Sequence, residues 1–169
     1  IESSAIIAQT TVFATSLDST LYALNVKNGH VRWKYRARDA IKSSPAFYQG
    51  TIYFGDEAGT FHAVDATTGT AKWTFQTAGG IISSANFSSD RLVFGSYDQF
   101  LYCLRQVDGT LLWQVETDGY IHGTPAIIAG QVIIGGCDGL LRLIDLQNGK
   151  ELHQLPAGAY VGASAALTN

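Results

Sequence analysis

The chain repeats itself every 40 residues without slippage. Trp33, Trp73 and Trp113 stand 40 residues apart, and the fourth slot of that column holds His153. Gly29, Gly69, Gly109 and Gly149 keep the same step, as do Gly55, Gly95 and Gly135. Asn28-Gly29, Asp108-Gly109 and Asn148-Gly149 close the same turn. A strict period of this length means one supersecondary unit used four times, each burying its apolar faces against its neighbours.

Within one period the residues read as four strands. Ile41–Tyr48 is a mostly apolar run, followed by the short turn Gln49-Gly50. Thr51–Gly55 and Thr60–Asp65 are rich in β-formers and are separated by the loop Asp56–Gly59. A hairpin turn at Ala66–Gly69 leads into a last strand, Thr70–Gln76. No useful stretch has the apolar spacing of a helix. The column 21/61/101/141 reads Leu, Phe, Leu, Leu, and the column 24/64/104/144 reads Leu, Val, Leu, Ile. These columns lie on opposite faces of the third strand, so both faces are expected to be buried. A sheet packed between two others requires that, whereas a two-sheet sandwich would leave one face wet.

The sequence therefore predicts an all-β β-propeller. Its four antiparallel four-stranded blades cover about 1–40, 41–80, 81–120 and 121–160, with one surplus inner strand at 161–169, all in a single propeller domain. Hydrophobic content of 46% against 15% charge fits a buried globular chain. Net charge is −3, and neither half is basic enough to suggest a nucleic-acid partner. No apolar run approaches the roughly 18–20 residues of a membrane span. The chain has no methionine, which reads as a processed product or a piece of something longer. Cys103 and Cys137 form no CxxC pair and neither demand nor exclude an oxidising compartment.

The run Phe61-His62-Ala63-Val64-Asp65-Ala66-Thr67-Thr68-Gly69-Thr70-Ala71-Lys72-Trp73 resembles the tryptophan-docking repeat of pyrroloquinoline-quinone-type propellers. Leu21-Tyr22-Ala23-Leu24-Asn25, Asn28-Gly29 and Trp33 match as well, as does the opening Ser43-Ser44-Pro45-Ala46. The resemblance covers essentially the whole chain. It implies that Trp33, Trp73 and Trp113, with Gly29, Gly69, Gly109 and Gly149, are structural docking positions. It also implies that the four blades belong to a seven- or eight-bladed ring, in a periplasmic or other extracytoplasmic setting. His153 in the Trp column marks the fourth blade as degenerate. Some members of the family are quinone-dependent dehydrogenases, which hold their cofactor against adjacent cysteines and a calcium ion. This chain has no Cys-Cys pair, and all three Trp sit in the docking column, so no cofactor and no metal is expected. The non-enzymatic branch includes assembly factors and sensor domains.

No catalytic constellation is visible. The four His are scattered over different columns, and the Ser pairs Ser3-Ser4, Ser43-Ser44 and Ser83-Ser84 recur with the period, which marks them as structural. Asp65, Asp108 and Asp145 fall in turns, where a side chain bonds its own backbone. The basic alternation Arg32, Lys34, Arg36 reads as protection of an exposed sheet edge rather than as a phosphate site. Variable positions stand out against these columns. Glu2, Lys42 and His122 share a column on the inner strand and are candidate channel-lining residues. Arg38, Asp39, Tyr97, Asp98, Asp118 and Tyr120 lie in loops expected to share one rim, and are candidates for recognising a partner. The expected function is a non-catalytic protein- or peptide-binding scaffold or sensor. The alternatives are a fragment of a quinone-dependent oxidoreductase and a purely structural repeat segment. Four blades of this kind would expose Leu21 and Leu24 at one end, and Leu141, Leu143 and Ile144 at the other. Self-association, or further blades of a parent chain, is expected to cover them.

Overall fold

The computed structural model describes residues 3–162 and 164. Glu2 and most of the expected surplus strand, residues 163 and 165–169, lie outside the described residues. Among the described residues every regular element is a β-strand. The first sheet contains β1 (Ile6–Ala8), β2 (Thr11–Thr15), β3 (Thr20–Asn25) and β4 (Val31–Arg36). The second contains β5 (Ala46–Tyr48), β6 (Thr51–Gly55), β7 (Thr60–Asp65) and β8 (Ala71–Gln76). The third contains β9 (Asn86–Ser88), β10 (Arg91–Gly95), β11 (Phe100–Arg105) and β12 (Leu111–Glu116). The fourth contains β13 (Ala126–Ile128), β14 (Gln131–Gly135), β15 (Leu140–Asp145) and β16 (Glu151–Pro156). Each sheet is a meander whose strands pair antiparallel in chain order. The chain forms two compact units, divided between Ile82 and Ser83, each holding two sheets.

The inner strand is shorter than the sequence suggested. In the run Ile41–Tyr48 only Ala46–Tyr48 joins the ladder. The preceding segment spends its hydrogen bonds elsewhere. Ile41 donates to the Ser16 carbonyl at 3.1 Å, the Ser43 hydroxyl donates to Gly55 O at 2.8 Å, and Pro45 has no N–H to offer. Side chains in this segment tie neighbouring repeats together across one period. The Ser4 amide donates to Ser44 Oγ at 3.0 Å in the first unit, and Ser83 Oγ donates to Gly123 O at 3.0 Å in the second. The recurring serines are thus structural.

Packing contacts account for the two glycine columns. A Cβ on Gly55 would stand 2.2 Å from the Ile81 side chain, and one on Gly95 would stand 2.1 Å from Ile121. Ile81 and Ile121 are fully buried there. Gly69 and Gly149 serve differently. Both have positive φ, +74° and +73°, which only glycine adopts without strain. Both also lie under an indole: an added Cβ would be 2.7 Å from the Trp33 ring and 2.8 Å from the Trp113 ring. Each third-to-fourth strand ladder carries one irregularity at the same repeat position, beside the Trp column.

One core lies between the sheets of each unit. In the first it gathers Phe13, Leu21, Ile41, Ile52, Phe54 and Val64; in the second Leu101, Trp113, Ile121, Val132 and Ile144 are among its members. The expectation for the outer faces needs correction here. Leu21 and Ile144 are fully buried, because strand alternation turns them toward the second and third sheets respectively. Leu24, Leu141 and Leu143 are partly exposed.

Candidate protein-recognition site

The third strand of each sheet carries one polar side chain tied to an aspartate in the loop before it. The Tyr22 hydroxyl donates to Asp18 Oδ2 at 2.6 Å, Tyr102 to Asp98 Oδ2 at 2.8 Å, and Arg142 Nη1 to Asp138 Oδ2 at 2.5 Å. In the second sheet Ala58 stands where the others have Asp, and Asp56 substitutes for it, 3.1 Å from His62 Nε2. The Tyr35 hydroxyl lies 3.0 Å from His62 Nδ1, so both ring nitrogens of His62 have a partner. Burial opposes ionisation of Asp56, but hydrogen bonds from His62 and from the Thr60 and Arg38 amides outweigh it and hold the carboxyl below its usual range. Burial, with the Asp56 charge beyond, pushes the Tyr35 phenol up. The Tyr22 hydrogen bond holds Asp18 down. Sequence reading missed this column, although its variability and the Asp at 18, 98 and 138 were a signal.

These pairs bear on the sequence candidates. Asp98 accepts from Tyr102 and from the Phe100 amide, so both its oxygens serve its own sheet. Asp118 is 90% exposed, with one oxygen 3.7 Å from Arg142 Nη2. Arg142 itself is buried and also meets Glu151 at 3.2 Å. Asp39 caps the Ala40 amide at 2.7 Å. The Arg38 amide donates to Asp56 at 3.2 Å, while its side chain is exposed. Lys42 is taken up by an ion pair with Glu57 at 2.6 Å. The basic alternation folds back on its own sheet: Arg32 donates to Thr10 O at 3.1 Å, Lys34 lies 5.1 Å from the centre of the Tyr22 ring, and Arg36 reaches the Asp18 carbonyl. The turn aspartates bond their own backbone, Asp65 to Thr67 at 2.9 Å, Asp108 to Thr110 at 3.0 Å and Asp145 to Gln147 at 2.7 Å.

Three candidates converge in the second unit. Tyr97 and Tyr120 stack with ring centres 4.9 Å apart and planes 15° from parallel. The Tyr97 hydroxyl is 2.6 Å from His122 Nδ1. Tyr97 comes from the loop between β10 and β11, while Tyr120 and His122 come from the segment between β12 and β13. Thr117 pins the two together: its amide donates to Gln99 O at 2.8 Å, and its hydroxyl lies 2.8 Å from both Gln99 O and Gly119 O, either of which can take its one proton. Tyr120 is 49% exposed, so much of a flat aromatic surface faces solvent on a braced support. Among the described residues no group of three or more His, Cys, Asp or Glu could hold a metal ion. No helix among them is long and apolar enough to cross a membrane.

Four-stranded meanders docked through indole on glycine define propeller blades. The family model described as outer membrane protein assembly factor BamB matches residues 2–86 and 76–167, and the chain belongs to that family. Among solved structures, BamB from Moraxella catarrhalis superposes with a TM-score of 0.81 at 24% identity, over 90% of this chain and 48% of that one. The computationally designed Ika8 protein superposes with a TM-score of 0.84 at 20% identity, over 94% of this chain and 50% of that one. The chain thus spans about half the length of the solved structures it matches. A search of curated proteins finds no match.

Proposed function

We propose that the chain is a non-catalytic protein- or peptide-binding scaffold, and that it recognises its partner through Tyr97, Tyr120 and His122. The stacked pair carries this reading. Tyrosine offers large contact area at small entropic cost, and interface hot spots are enriched in it. Bracing by Thr117 and His122 means that little freedom is lost on binding. Membership of a family described as an assembly factor supports the same class of function. Selection of a displayed random peptide library on the folded chain tests it. Enriched peptides should lose binding to Tyr97→Ala and Tyr120→Ala variants whose thermal midpoints are unchanged. Equal binding to both variants, or no enrichment over a bare support, would overturn the proposal.

We further infer that another four-stranded sheet of the same repeat covers the outer face of the fourth sheet. Ile133, Leu141, Leu143, His153 and Leu155 line a cavity of about 380 Å³ there, and Leu155 is 62% exposed. An apolar face of this kind calls for a partner. The half-length match to larger propellers supports a blade as the occupant, supplied by a second copy or by further chain.

A further inference from the structure

In the first unit a cavity of about 420 Å³ opens between the first and second sheets, lined by Tyr35, Arg38, Thr60, His62, Thr74 and Gln76 among others. The repeat supplies its own comparison two periods on. Arg142 occupies the place of His62, and Asp118 the place of Arg38. There the chain surrounds its buried cation with Asp118, Asp138 and Glu151. At the first-unit position the charges are rearranged. The cation has moved to the loop as Arg38, and Ala58 and Ala71 stand in place of Asp138 and Glu151. His62 is already satisfied by Asp56 and Tyr35. Glu57 is paired with Lys42, and Asp65 lies near Lys72. Arg38 takes part in none of these ion pairs, and it lines the open cavity.

We propose that this cavity is a carboxylate subsite, which receives an Asp or Glu side chain of the partner between Arg38 and the polar wall formed by Tyr35, His62 and Thr74. The second sheet keeps one carboxylate of its own, Asp56 on His62, and leaves Arg38 to a ligand. Charge-assisted pairing to a guanidinium fork is the strongest contact available there. Arg36 also lines the cavity, but its Nη1 donates to the Asp18 carbonyl and lies 3.4 Å from Thr20 Oγ1, which ties that side chain to the first sheet. The inference rests on the partner-binding reading, and specifies an acidic segment of that partner.

Nuclear magnetic resonance titration of the whole chain tests it. The probes are a blocked Gly-Glu-Gly peptide, its Gln counterpart and inorganic phosphate. The Glu peptide should shift the Arg38 side-chain and His62 ring resonances at millimolar concentration, and the Gln peptide should bind about ten-fold or more weakly. Arg38→Gln should abolish the shifts. So should Arg38→Asp, which places a carboxylate where Asp118 stands, while Lys34→Gln should leave them intact. Equal shifts with the Gln peptide, or unchanged binding in Arg38→Asp, would overturn the subsite. So would phosphate saturating the same resonances at lower concentration than the Glu peptide, which marks an inorganic-anion site. If this fails while selected peptides still require Tyr97 and Tyr120, only the acidic subsite falls. The reverse result removes the aromatic site alone.

Discussion

Truncating Trp113 to alanine tests the blade-to-blade dock in the second unit. The side chain is 9% exposed, its ring lies on Gly149, and its Nε1–H donates to the Leu146 carbonyl at 2.9 Å. An aromatic side chain of this size buries about 150–250 Å², worth about 4–6 kcal/mol by area. Measured Trp-to-Ala losses run at about 3–5 kcal/mol. The orphaned Leu146 carbonyl adds about 1 kcal/mol. A loss of about 4 kcal/mol in a chain of this length lowers the thermal midpoint by about 8–16 °C. Trp113→Phe keeps the stacking and loses the N–H, and should cost about 1–2 kcal/mol. His153 holds the same repeat position but is exposed, so His153→Ala should stay within about 0.5 kcal/mol. A double-mutant cycle isolates the dock. Gly149→Ala forces a Cβ to 2.8 Å from the indole at a φ of +73°, which should cost about 2–3 kcal/mol. In the Trp113→Ala background only the backbone strain remains, about 1 kcal/mol, so the two losses should add to less than their sum. Thermal and urea unfolding followed by circular dichroism measure all of these. Strict additivity, or a His153→Ala loss as large as that of Trp113→Ala, would refute the reasoning.

Asp56 links stability to pH. Its folded pKa lies below the unfolded value of about 3.9, so its contribution is complete above that value and is lost as pH falls through the folded pKa. Asp56→Asn should cost about 2–3 kcal/mol at neutral pH by breaking the buried network. It should also flatten the acid limb of stability against pH by up to one proton; an acid limb as steep as that of the parent would contradict this. Burial pushes the Cys103 thiol up to about 11, despite a lowering hydrogen bond from Arg91, whereas Cys137 is exposed. A thiol reagent at pH 8 should label Cys137 rapidly and Cys103 only on unfolding; rapid labelling of both would count against the packing of β11. The 169-residue chain alone should self-associate through its outer faces, with a mass by light scattering above 18.1 kDa. A stable monomer that binds no hydrophobic dye would refute the further-blade inference.

The architecture was legible because its contacts repeat as strictly as its residues. Gly55 and Gly95 meet Ile81 and Ile121 at nearly the same distance, so a 40-residue spacing carries a spatial fact. Thr51–Gly55 and Thr60–Asp65 were readable to the residue for the same reason. The inner strand was overextended because Ser43 and Pro45 look β-compatible, while their hydrogen bonding lies outside the ladder. Tyr97, Tyr120 and His122 were each legible as variable positions. Their meeting was not, since it depends on loop geometry that no periodicity encodes. The tie of Asp98 to Tyr102 was not legible, because the two meet only across a turn. Arg142 was overlooked because three carboxylates reach it from three separate segments.

The most direct test of the recognition surface is a hydrogen–deuterium exchange footprint of the chain with a selected peptide bound. The account predicts protection at residues 96–99 and 117–122, weakened by Tyr120→Ala. Protection confined to the outer strand β16, or none in the loops bearing Tyr97 and Tyr120, would contradict it.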